Sequence, residues 1–247
     1  MVFTIYPAID IKEGKCVRLF QGDYNLQSTY YNSPLEPAQK WYEAGAKWLH
    51  IIDLDGAKSG QPANLPAIEE ILSQIKINIQ IGGGIRNIET AQAYLEIGAN
   101  RVIVGSQALK DKKFIEELIN KFGSEKVVVS LDGRREQVYS DGWLKESGIN
   151  LFTAARQLVE IGIQQFIYTD IERDGTLSGP NLARTLELAA STGKQVIVAG
   201  GISSESDVEE LARCQNSGVS GAIIGRALYT GNINLKTLIS QLGSVSK

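Results

Sequence analysis

Eight short runs of β-branched and other apolar residues recur along the chain, each followed by an amphipathic segment, and this alternation constrains the fold more than any other feature. The runs Phe3–Ile9, Trp48–Asp53, Ile77–Ile81, Arg101–Gly105, Val127–Leu131, Gln165–Thr169, Gln195–Ala199 and Gly221–Gly225 predict strands. The segments between them carry helix starts and stops. Ser33-Pro-Leu-Glu36 and Ser204-Glu-Ser-Asp207 read as capping boxes, and Asn87, Asn150 and Asn181 stand where a side-chain oxygen can accept from the unpaired amides of a first turn. Gly45, Gly98 and Gly162 each close an apolar helical stripe just before the next strand, where a left-handed residue ends a helix. Eight βα units in 247 residues predict one α/β domain, residues 1–247, folded as a closed (β/α)8 barrel of the TIM-barrel class; an open doubly wound sheet has fewer or less regular strands.

A longer period runs beneath the short one. Asp10 and Asp132, Gly83 and Gly200, Gly105 and Gly225, and the stretches Asp55–Gly60 (DGAKSG) and Asp174–Gly179 (DGTLSG) all recur at a spacing of about 120 residues. Two half-barrels related by internal duplication, about 1–122 and 123–247, account for these offsets with no linker between them.

In a barrel of this kind the working face is the C-terminal rim of the strands. The residues expected there are Asp10, Asp53, Gly82–Gly84 with Arg86, Gly105-Ser106, Asp132, Thr169-Asp170, Gly200-Gly201 with Ser203, and Gly225-Arg226. Glycines after the third and seventh strands let an anion approach bare backbone, and the amides that open the next helices, after Gly105-Ser106 and Gly225-Arg226, close around it. One such Gly-Gly is more often a tight turn than a ligand site. Two sets in equivalent places suit the two ends of an elongated small-molecule bisphosphate, with one used site and one relic as the simpler alternative.

Between the grips, Asp10 and Asp132 occupy equivalent positions and are expected to face each other, the minimum equipment for general acid and base steps; either could instead organise a loop by accepting backbone amides. Asp53, Asp55, Asp170 and Asp174 carry that second reading more strongly, and Asp174 and Thr169 stand as secondary site candidates. The stretches Leu19–Asn32 and Gly133–Gly148 are long for βα connections and are expected to be covers over the mouth. Trp143 in the second is placed either to stack on a planar heterocycle or to pack its loop on the rim.

Composition removes other classes. A net charge of −3 gives no broad basic surface for nucleic acid, no apolar run reaches the length of a membrane helix, and the N-terminus lacks the pattern of a signal peptide, so a cytoplasmic enzyme is expected, without nucleic-acid or membrane partners and as a monomer. Cys16 and Cys214 are too few and too far apart for a disulfide framework or a zinc site. His50 is the only histidine, which leaves no multi-histidine metal cage and no serine triad with a nucleophile elbow; no metal is expected.

The stretches PAIDIKEGKCVRLFQGD, LHIIDLDGAKSG, IQIGGGIR, RVIVGSQAL, VVSLDGRREQVYSDGW, YTDIERDGTLSGPN, VIVAGGISS and AIIGRALY, in this order, resemble the phosphoribosylformimino-aminoimidazole carboxamide ribonucleotide (ProFAR) isomerases of histidine biosynthesis over nearly the whole chain. The resemblance implies a cofactor-free Amadori rearrangement of an N-linked aminoaldose to its aminoketose. It implies that Asp132 protonates the ring oxygen and that Asp10 removes the C2′ proton. It further implies that His50, Arg86, Trp143, Thr169 and Asp174 hold or stack the substrate while Gly83, Gly84, Gly200 and Gly201 grip its phosphates. The sister cyclases of the same pathway begin with a Cys-Leu-Asp strand and a Val-Lys-Gly stretch, where this chain has AIDIKEGKCVRLFQGD.

Overall fold

The computed structural model describes residues 3–20, 22–140, 142–143 and 145–245. Gln21, Asp141 and Leu144 of the two expected covers, and residues 1–2 and 246–247 at the ends of the expected domain, lie outside the described residues. Twelve strands are present among those described: β1 (Thr4–Lys12), β2 (Lys15–Phe20), β3 (Asp23–Tyr31), β4 (Trp48–Asp53), β5 (Asn78–Gly82), β6 (Arg101–Val104), β7 (Val127–Arg134), β8 (Gln137–Ser140), β9 (Lys145–Asn150), β10 (Gln165–Asp170), β11 (Gln195–Ala199) and β12 (Val219–Ile224). Eight of them, β1, β4, β5, β6, β7, β10, β11 and β12, pair in parallel in that order, and β12 pairs with β1 to close the ring. The expected closed barrel is therefore the fold.

Alternation along each strand sorts the side chains into two apolar layers. Ile9, Leu49, Ile51, Ile79, Ile81, Val127, Val129, Phe166 and Val196 join a core shared with the outer helices. Tyr6, Ala8, Ile103, Val128, Ile167, Ile197, Ala199 and Ile223 form a second cluster that fills the ring. Nearer the N-terminal rim the ring turns polar: Arg101 is buried there, bonded to the Gln165 side chain and to the Tyr6 hydroxyl, with its guanidinium 4.0 Å from the centre of the Trp48 ring.

Helix caps follow the sequence closely. Asn87, Asn150 and Asn181 each cap a helix through the side chain, and Ser204 and Asp207 form a reciprocal capping box. At Ser33 the box is looser, since its hydroxyl takes the Leu35 amide and Glu36 reaches back to the Ser33 amide at 3.3 Å.

The covers depart from expectation. Each is built of antiparallel strands rather than an irregular loop: Leu19–Asn32 is the end of β2 with β3, and Gly133–Gly148 is the end of β7 with β8 and most of β9, both reached because β1 and β7 run past Ile9 and Leu131 and turn back on themselves. The antiparallel partners are β2, with Asp10 opposite Val17, and β8, with Gly133 opposite Val138. Both tight turns use positive φ, at Glu13 and Gly14 in one and at Arg135 in the other, the handedness that matches strand twist in a two-residue hairpin. The covers meet: a Cβ on Gly22 would lie 2.6 Å from the Trp143 ring, so the glycine is what lets the second hairpin close over the first.

The glycines after β5 and β11 are dictated first by backbone packing. A Cβ on Gly84 would stand 2.0 Å from the Gly56 carbonyl oxygen, and one on Gly201 would stand 2.2 Å from that of Gly179. Gly84→Ala should therefore destabilise the barrel by about 3 kcal/mol or more, from collision and positive φ together. Gly231→Ala, also at positive φ but with nothing within 4 Å, should cost only about 1–2 kcal/mol. Urea unfolding of the two variants measures the gap; equal losses would mean that the loop yields to the side chain.

Candidate active site

A cavity of about 310 Å³ opens at the C-terminal rim. Asp10, His50, Gly83, Gly84, Arg86, Gly105, Ser106, Asp132, Trp143, Thr169, Asp174, Gly200, Gly201, Gly225 and Arg226 all line it. Of the residues expected at the rim, Asp53 and Asp170 do not, and neither does Ser203. Its amide and hydroxyl both donate to the Asp207 carboxylate at 2.8 Å, which extends the cap of the following helix.

Asp10 and Asp132 face each other because β1 and β7 are four strands apart in a ring of eight. Asp132 is held by two donors, the Ser130 hydroxyl on Oδ1 and the Trp143 indole Nε1–H on Oδ2, both at 2.8 Å. Trp143 has its indole N–H bonded to a carboxylate of the site while it borders the cavity, in a left-handed backbone conformation that a bulky residue adopts only when its surroundings enforce it.

Asp10 is 9% exposed and paired with Arg18, a residue the sequence left without a defined task. Arg18 projects from β2 and bridges two carboxylates, Nη1 to Asp10 Oδ2 at 2.8 Å and Nη2 to Asp174 Oδ1 at 2.7 Å. Burial opposes its charge, but the Asp174 and Asp10 carboxylates outweigh burial and hold the guanidinium more firmly protonated than usual. For Asp174, burial raises the carboxyl pKa; Arg18 pulls it down, and the Asp10 and Asp132 charges add to the rise. Gly225 has a second reason to be glycine, since a Cβ there would lie 2.9 Å from the Arg18 guanidinium carbon.

The remaining rim acids serve the backbone, as expected of Asp53, Asp55 and Asp170. Asp53 accepts from the amides of Gly56, Ala63 and Asn64, and Asp55 from the Glu13 amide and the Asn64 side chain. Asp170 accepts from the Glu172 amide and the Asn181 side chain. The two glycine loops expected to take anions are alike but not identical. Near the first, Arg86 on the loop after β5 donates to the Ala57 carbonyl, and Ser106 opens a four-residue helix after β6. Near the second the residue types change places: Ser203 follows β11, and Arg226 opens a four-residue helix after β12 and donates to the Gly175 carbonyl.

A closed barrel with opposed carboxylates and two glycine-lined loops at one mouth has the equipment of a small-molecule isomerase. The chain matches the sequence profile of the histidine biosynthesis proteins over residues 4–234, and it belongs to that family. It is 47% identical over 242 residues, 98% of this chain and 97% of the relative, to a protein of Brevibacillus brevis named as the isomerase of 1-(5-phosphoribosyl)-5-((5-phosphoribosylamino)methylideneamino)imidazole-4-carboxamide. Proteins of the same name in Bacillus subtilis, 45% identical over 240 residues and 97% of this chain, and in Syntrophomonas wolfei, 47% identical over 231 residues and 94% of this chain, are similarly close; this chain covers 98% and 95% of those relatives.

Arg18 generates a prediction about pH. Because Asp174 keeps its proton to higher pH in the native state than in the unfolded chain, its contribution to stability falls as pH rises from about 4 through its native pKa. Arg18→Met removes the cation that limits this rise. The variant should lose about 3 kcal/mol at pH 7.5 and distinctly less at pH 5. Parallel urea titrations of both proteins at the two pH values test this, and a deficit equal or larger at pH 5 would refute it.

Proposed function

We infer that this chain isomerises ProFAR, the N-linked aminoaldose named for its relatives, to the corresponding aminoketose by an Amadori rearrangement. The observation that carries the reading is the pair of carboxylates, Asp10 and Asp132, on opposite strands of one cavity that also holds both glycine grips. A substrate with a phosphate at each end is held by Gly83, Gly84, Arg86, Gly105 and Ser106 at one side and by Gly200, Gly201, Gly225 and Arg226 at the other. Ser203 acts there only through the loop it stabilises. The carbon that reacts then lies between the two acids, and binding energy from remote phosphates is converted into orientation.

In the first step Asp132 delivers a proton to the ring oxygen of the ribose, and the ring opens to a protonated Schiff base. Asp10 then takes the C2′ proton, giving an enolamine that tautomerises to the ketone. The neighbours suit these roles. Arg18 gives Asp10 a fixed cationic partner, and the Ser130 and Trp143 donors hold both oxygens of Asp132 in place. Thr169, opposite Asp132 in the β7–β10 register, and His50 border the reacting sugar. The equivalent contacts of the two halves, Asp53 with Asn64 and Asp170 with Asn181, support descent from a duplicated half-barrel. Cytoplasmic action of a monomer on a small phosphorylated substrate completes the reading; among the described residues no helix is long and apolar enough to cross a membrane.

An absorbance assay with ProFAR tests the activity, run beside phosphoribosylanthranilate and beside ammonia with the ketose product; turnover of the first alone is expected. Asp10→Asn and Asp132→Asn should each lower kcat by about 10²–10⁴-fold with little change in bisphosphate affinity measured by calorimetry. Near-normal turnover in either variant would refute the acid and base assignment.

A further inference from the structure

His50 is the one histidine of the chain, and the reading above gives it no more than a place beside the sugar. It is 8% exposed, lines the cavity, and uses its Nδ1 inside the barrel, 3.0 Å from the side-chain nitrogen of Gln80. Gln80 is its register partner across β4–β5 and is fully buried. An amide N–H against Nδ1 requires a lone pair there, which places the ring proton on Nε2. The reversed amide would require the proton on Nδ1. The other end of the amide decides between them. Among the described residues, Gln80 Oε1 is buried without a hydrogen-bond partner, and on its far side Gln80 is in register with Arg101, whose Nε is likewise buried and unbonded. Arg101 is a cation stacked on Trp48 with no carboxylate partner among the described residues. Its field draws a carbonyl oxygen toward it and disfavours an NH2 group there.

We propose that Gln80, oriented by Arg101, is a positioning residue that fixes His50 as the neutral Nε2–H tautomer and so makes it a hydrogen-bond donor toward the bound sugar. The charged groups around the ring agree. Arg18 on β2, with its partners Asp10 on β1 and Asp174, and Arg101 on β6 surround it; burial, then Arg18, then Arg101 push the imidazole pKa down to about 3, so it stays uncharged throughout the working range. A neutral donor can hold an oxygen of the substrate without competing with Asp132 as a proton source.

Having one histidine makes the test direct. Long-range proton–nitrogen correlation spectra of the imidazole ring in the intact protein should show the Nε2–H pattern, unchanged from pH 5 to pH 9. An Nδ1–H pattern, or a titration centred near 6.5, would overturn the proposal without any variant. In Gln80→Glu the carboxylate accepts from Nδ1–H. The ring should switch to that tautomer or to imidazolium, and kcat should fall about tenfold or more, as expected when a donor is lost from a built polar contact. Gln80→Met, which cannot bond Nδ1 and introduces no charge, should release the tautomer preference with a smaller loss in kcat. A switched tautomer with unchanged kcat, or an unswitched ring in Gln80→Glu, would also overturn it. The kinetic arm rests on the isomerase reading; the ring spectra do not, so the two can fail separately.

Discussion

A parallel sheet closed on itself has a single rim at which all of its strands end, and the rest of the molecule follows from that constraint. Inward-pointing side chains at the ends of β1, β4, β7 and β10 converge on one cavity although they come from distant parts of the sequence. Convergence has an electrostatic cost, because acids brought together at the mouth lose water. One cation resolves it: Arg18 lies between Asp10 and Asp174 and is bonded to both. Asp132, farther round the ring, is served by neutral donors instead. The two opposed carboxylates therefore sit in unlike surroundings, which acid and base roles within one cycle require.

The scaffold repeats itself while the chemistry does not. Asp53 with Asn64 and Asp170 with Asn181 perform the same loop-organising work on the two sides, and the glycines after β5 and β11 meet the same neighbouring loops. Asp55 and Asp174 are equivalent by position and opposite in use. The first is consumed by the Glu13 amide and the Asn64 side chain, whereas the second faces the cavity and takes Arg18. Arginine and serine likewise trade places between the two grips. On the function proposed above, such local exchanges within a repeated set of contacts let the mouth hold both ends of an elongated substrate and still distinguish one direction along it from the other.

Much of this was legible before any coordinates, for physical reasons. The strands, the caps at Asn87, Asn150, Asn181 and Ser204, and the rim positions of Asp10 and Asp132 depend on local periodicity and on a spacing that repeats, both of which are written along the chain. The role of Arg18 was not, because its partner Asp174 is 156 residues away and nothing local announces the pair. Gln80 was invisible for a related reason: a polar residue in an apolar run reads as an interruption until the register sets it beside His50. In sequence the glycines after β5 and β11 look like openings for an anion; their positive φ and the carbonyl oxygens against them show that the turn demands them first. Ser203 sits at a site position by the repeat yet serves the Asp207 cap, because a repeat preserves position more faithfully than side-chain use.

The covers couple the fold to the chemistry in a way that an irregular loop would not. The strand that supplies each carboxylate also supplies the hairpin above it: Asp10 lies opposite Val17 in the β1–β2 ladder, and Asp132 immediately precedes Gly133, which pairs with Val138. Backbone hydrogen bonds thus set where each cover stands relative to its acid. Arg18 reaches Asp10 from the returning strand of one hairpin, and Trp143 reaches Asp132 from the far end of the other. Displacing either cover would have to break ladder hydrogen bonds or part a side chain from the carboxylate it orients. Closure over the mouth and the placement of the two acids are, for this barrel, a single structural variable.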